Sequence, residues 1–232
     1  MKALTVLQHT SSDHLGLIED HLEARQIRFR YVRPFQAGSR VPVLGEVGDG
    51  LILLGGGPWG TAGARDVPSL DKEVELARHC LMANKLIIGI GVGAQILAIA
   101  AEGGSRATPL TLRAGTGHRT APDSLNGYLP EEFPYATYMR DWPVPPAYAK
   151  ILAETEQGEP LIFQMGETAF GFAFHPGFKL AIAEDLIMEF EEAPEETGTP
   201  LRALRGMGRQ IEDSLVPIMT GLVQVTGLMQ AG

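Results

Sequence analysis

The chain has 232 residues, 44% of them hydrophobic and 20% charged, enough to bury one large core and within the range of a soluble globular protein. Its formal net charge of −9, from 19 Lys and Arg against 28 Asp and Glu, argues against a phosphate-binding surface, so nucleic acid is not an expected partner. A single cysteine, Cys80, excludes an internal disulfide framework and any multi-cysteine zinc site and fits a reducing compartment, here taken as the cytoplasm.

In chain order, the apolar run Ala3 to Leu7 predicts a first buried strand, too short and too soon polar for a signal peptide. Leu15 to Ala24, with Leu15, Ile18 and Leu22 on one face, predicts an amphipathic helix, and Arg28 to Val32 a second strand. Leu51 to Leu54 predicts a third strand ending in Gly55-Gly56-Gly57-Pro58; a helix follows from about Leu70 to Met82, then a strand at Leu86 to Ile88. Alternation of this kind predicts an α/β fold: a doubly wound, mainly parallel sheet with helices on both faces, as one domain over residues 1–232. Past Ala107 the prolines at 130, 134, 143, 145 and 146 break the chain into short strands and turns. Thr168 to Phe174 predicts a last strand running into His175-Pro176-Gly177, and the acidic stretch Glu184 to Glu196 reads as a solvated helix and loop. The uncharged C-terminal segment 214–232 contains Pro217, Gly221 and Gly227, which weakens a membrane-spanning reading; packing on the domain or in a homodimer is expected instead.

In open α/β sheets ligands bind at the carboxyl ends of the strands, so the two glycine-rich turns point to one site. Leu86 to Ala98, with Gly89-Ile90-Gly91-Val92-Gly93-Ala94-Gln95 at its centre, reads as strand, tight turn and apolar helix, the layout of a nucleophile elbow. This segment resembles the elbow of the class I glutamine amidotransferases, Gly-x-Cys-x-Gly-x-Gln. Asp49 to Pro58 resembles that family's oxyanion strand and loop, and Phe170 to Pro176 its catalytic histidine strand; a fainter echo lies at Asp141 to Pro145 and Leu152-Ala153. The resemblance implies a flavodoxin-like layering and places the catalytic cysteine at Gly91, the histidine at His175 and the acidic residue after His-Pro at Gly177.

Glycine supplies no nucleophile, so covalent glutamine hydrolysis is not expected. An elbow residue occupies a conformation that costs a non-glycine residue about 1–3 kcal/mol and glycine little, so the turn can outlive the chemistry. Backbone N–H groups of Gly56, Gly57 and Val92 and the amide start of the elbow helix leave room for a small polar ligand at Gly56, Gly57, Gly91, Val92 and Gln95. Gln95 either faces the ligand, as the resemblance implies, or satisfies loop backbone. His175 either keeps a catalytic role or is hydrogen-bonded to backbone.

A dinucleotide reading of the glycine turns lacks the acidic residue expected about 20 positions on. The histidines show no zinc spacing, so neither metal nor cofactor is indicated. Two function classes follow: a binding or regulatory subunit, with a separate synthase as a possible partner, or a transferase or hydrolase that uses His175 with a non-standard nucleophile.

Overall fold

The computed structural model describes residues 2–229. Its elements are β1 (Ala3–Leu7), α1 (Leu17–Ala24), β2 (Arg28–Val32), β3 (Gly50–Leu53), α2 (Leu70–Met82), β4 (Leu86–Ile90) and α3 (Val92–Ala100). They continue with β5 (Gly104–Arg106), β6 (Thr111–Arg119), β7 (Glu132–Met139), β8 (Trp142–Val144), β9 (Lys150–Thr155), β10 (Pro160–Met165), β11 (Ala169–Phe172), α4 (Leu180–Glu189) and α5 (Gly198–Thr226).

One 9-stranded sheet runs β2-β1-β3-β4-β11-β10-β9-β6-β7. From β2 to β11 the neighbours are parallel, and from β11 to β7 they are antiparallel. The sheet is therefore mixed, with its parallel half built from the βαβ units expected of the apolar runs. The proline-broken stretch, expected as short strands and turns, contains the long antiparallel ladder of β6 and β7, whose residues pair from Thr111↔Met139 to His118↔Glu132.

Strands β1, β3 and β4 are buried along nearly their whole length, which is why they read as continuous Val, Ile and Leu runs rather than alternating ones. Helices α1 and α5 pack on one face through Ile18, Leu22, Leu215 and Leu222, and α2 and α3 on the other through Ala77, Cys80, Ala94 and Leu97. Edge strand β2 differs, with Arg28 and Arg30 exposed on either side of half-buried Phe29.

The uncharged C-terminal stretch belongs mostly to α5, where Leu215, Ile218, Leu222 and Val223 are buried against the domain itself. Residues 230–232 of that stretch lie outside the described residues. Among the described residues no helix is long and apolar enough to cross a membrane.

Helix α3 lies so close to β3 that a Cβ at Gly93 would overlap the Leu53 carbonyl oxygen. Gly93→Ala is therefore expected to destabilise the fold by about 2–3 kcal/mol, measurable as a lower urea midpoint with unchanged slope. A substitution there reports on folding before it reports on any ligand.

Candidate functional site

The carboxyl ends of β1, β3, β4 and β11 converge and deliver the groups of the site. Gly91, between β4 and α3, has φ 56 and ψ −118, a left-handed corner that favours glycine. A Cβ added there would meet only the Gly55 Cα, at 3.3 Å, so space for a side chain exists although none is present.

Gly55, Gly56 and Gly57 form the facing loop. A Cβ on Gly56 would come within 2.9 Å of Val92 Cγ1, and Gly57 has φ 55, so the loop hugs the start of α3 in a form few other residues could adopt. The buried N–H groups of Gly56, Gly57 and Val92 have no acceptor among the described residues.

His175 lies beyond β11, 6% exposed. Its Nδ1 accepts the Gly177 N–H at 3.1 Å, so Nε2 carries the proton and donates to the His14 carbonyl at 2.7 Å. Burial lowers its pKa to about 4, leaving a neutral ring with both nitrogens engaged by backbone. Gly177 offers no substitute acid: a Cβ there would sit 2.9 Å from the Ile18 nitrogen and 3.0 Å from the Leu15 carbonyl oxygen.

Gln95 is fully buried. Its Nε2 donates to the Arg140 carbonyl at 2.7 Å, and its Oε1 accepts the Thr61 hydroxyl at 2.8 Å, so its amide ties together loops behind the elbow. Asp141, also buried, holds the same loops by accepting the N–H groups of Thr61 at 2.9 Å, Ala62 at 3.0 Å and Thr108 at 3.2 Å.

Two residues after β1, unmarked by any motif, complete the corner. His9 places Nδ1 at 3.0 Å from the Gly55 carbonyl and Nε2 at 2.7 Å from Glu73 Oε2, on α2. Both ring nitrogens face acceptors, so the ring holds two protons. Burial opposes that charge, but Glu73 and the Gly55 carbonyl outweigh it, and the pKa is raised. Ser69 donates its hydroxyl to the other Glu73 oxygen at 2.5 Å.

Asp13 occupies the space beside Gly55, where a Cβ would overlap its Oδ2. Its Oδ1 is buried without a hydrogen-bond partner and lies 3.8 Å from His175 Nε2. Burial raises its pKa to about 7 against the pull of His9. The short distance to His175 is not an ion pair at neutral pH, because that ring is neutral there and its Nε2–H points to His14.

A cavity of about 170 Å³ opens beside His9 between Trp59, Phe35 and Pro68. A groove of about 600 Å³ lies elsewhere, between Arg40–Gly45 and α2, and touches none of the elbow residues. Among the described residues no group of three His, Cys, Asp or Glu side chains is placed to hold a metal.

The parallel half-sheet, the glycine elbow and the histidine after β11 define the α/β fold of the class I glutamine amidotransferases. No protein-family profile matches the chain. A curated glutamine amidotransferase-like protein of Salmonella typhimurium, YfeJ, is 25% identical over 195 residues, covering 79% of each chain. A solved glutamine amidotransferase of Thermotoga maritima superposes with a TM-score of 0.81 over 99% of both chains at 18% identity. A GMP synthase component of Thermoplasma acidophilum superposes with a TM-score of 0.60 over 98% of both chains, also at 18% identity. The chain is a glutamine amidotransferase-like protein, similar in sequence to one such protein and in fold to others.

Proposed function

We propose that the protein is a binding or regulatory subunit that does not hydrolyse glutamine by a covalent route. The observation that carries this reading is the corner at Gly91: the turn keeps the geometry of an elbow, φ 56 and ψ −118, and holds no nucleophile. His175 supports it, since a ring with both nitrogens bonded to backbone has no free position for proton transfer.

The purified protein is therefore expected to release no glutamate from glutamine, since loss of a catalytic nucleophile costs on the order of 10⁶ in kcat. Gly91→Cys alone should leave it inactive, because His175 stays turned to His14 and Gly177 supplies no orienting acid. Steady glutamate release by the unaltered protein would overturn the reading.

The retained capacity is for a small polar ligand, offered by the open N–H groups of Gly56, Gly57 and Val92 and by the cavity beside His9. A separate synthase is the partner class that the Thermoplasma acidophilum neighbour suggests. Homodimerisation belongs to the same proposal, and light scattering on the eluted protein tests it.

A second reading has one observation behind it. Asp13, buried at the corner with an unpaired oxygen and a pKa near 7, has the form of a general base that could activate water against a small amide or carboxylate ester. Hydrolysis lost in Asp13→Asn would favour this reading over the first.

A further inference from the structure

The acidic segment that ends α4 is not simply solvated. The Glu189 carboxylate accepts the N–H groups of Ser11 at 2.9 Å and Ser12 at 3.0 Å, one oxygen to each amide. Three residues on, Glu192 bridges Arg65 Nη1, at 2.7 Å, and Arg140 Nη2. Both arginines are held in place by other contacts: Arg65 lies 4.6 Å over the Trp59 ring, and Arg140 donates Nε–H to the Pro58 carbonyl at 2.9 Å. Leu186 and Phe190, before and between these two carboxylates, cover Gly57 of the loop that faces the elbow.

The donors therefore belong to the elbow surroundings, on the loop after β1 and on the segments that carry Trp59 and Arg140. The acceptors belong to a strap that crosses them. Two consecutive amides and a pair of guanidinium groups are what a molecule with two carboxylates requires. Glu189 is exposed and Glu192 is 41% exposed, so water and salt compete for both latches and the strap is free to lift without unfolding the sheet.

We propose that the Ser11–Ser12 amides and the Arg65–Arg140 pair form a two-point carboxylate site beside the elbow, filled in this state by the protein's own Glu189 and Glu192, and that a small dicarboxylate takes it when the strap lifts. The proposal stands on the strap contacts and does not depend on whether glutamine hydrolysis has been lost.

The test uses the full chain carrying Gly91→Cys as a thiol reporter, with and without Glu189→Gln and Glu192→Gln. Maleimide labelling at position 91 is expected to accelerate about tenfold when the latches are removed. Cys80, fully buried in α2, should stay unreactive as the internal sign that the fold is intact. Adipate should slow the labelling of the unlatched protein, and Arg140→Gln should cancel that protection; inorganic phosphate protecting as well as adipate would reduce the site to a single-anion site and overturn the two-carboxylate assignment. Labelling no faster than with the latches in place, or indifferent to adipate, overturns the proposal. If Cys80 also reacts in the double variant, the same criteria apply to Glu189→Gln alone.

Discussion

Glu73→Ala is expected to lower the thermal midpoint by roughly 10 °C, the effect of losing about 3–5 kcal/mol in a chain of this size. The cost arises because Glu73 is 0% exposed and, among the described residues, is the only carboxylate bonded to the buried His9 ring. Removing it leaves either an uncompensated imidazolium or a neutral ring with one nitrogen facing an empty space. Calorimetry at pH 6 checks the value, and the double variant His9→Ala/Glu73→Ala should cost less than the sum of the two single changes. The pH dependence has a fixed sign. Because the folded His9 pKa is raised, its contribution is complete below the unfolded value near 6.5 and is lost as pH rises through the folded one. The gap between the two proteins should therefore narrow in alkali.

Asp13→Asn should move stability the other way. Its pKa is raised from 3.8 to about 7 chiefly by burial, so the ionised carboxylate opposes folding at every pH above the unfolded value, and fully so above 7. An amide of the same shape carries no such cost. The variant is expected to gain about 2–4 kcal/mol at pH 8, with the gain shrinking toward pH 4, where the native side chain is already protonated. Urea titrations at the two pH values decide it; an equal or lower midpoint at pH 8 would mean that the carboxylate is not desolvated as the geometry implies. A residue whose removal stabilises the fold is one kept for another reason, which is why the outcome also bears on whether Asp13 serves the site. His175 gives the opposite slope: its lowered pKa makes its contribution complete above 6.5 and lost as pH falls through about 4.

The parallel half of the sheet was legible because burial on both faces writes itself as unbroken apolar runs, and β1, β2 and α2 fall at the predicted bounds. The antiparallel half was not, since Pro130 and Pro134 look like interruptions in the sequence although Pro134 lies within β7, paired with Thr116. At the site, the glycine turns were visible from their spacing, whereas His9, Asp13 and Glu73 were not singled out. A signal for each was present. Gln8 to His14 is a polar loop at the carboxyl end of a buried strand, where the crevice of an α/β sheet is expected. Glu73 shares a helical face with Ala77 and Cys80, an apolar stripe on which a carboxylate requires a partner. What no pattern in the sequence carries is the pairing of distant segments: Glu189 with Ser11 and Ser12, or Glu192 with Arg65 and Arg140.

The guanidinium groups flanking Phe29 on β2 restrict how copies of this chain could associate. Joining two sheets edge to edge there would bring four arginines together along a seam with no carboxylate of β2 to offset them, at a repulsive cost that water now relieves. Any symmetric pair is thereby directed toward helical surfaces, and the open flank of the sheet stays solitary.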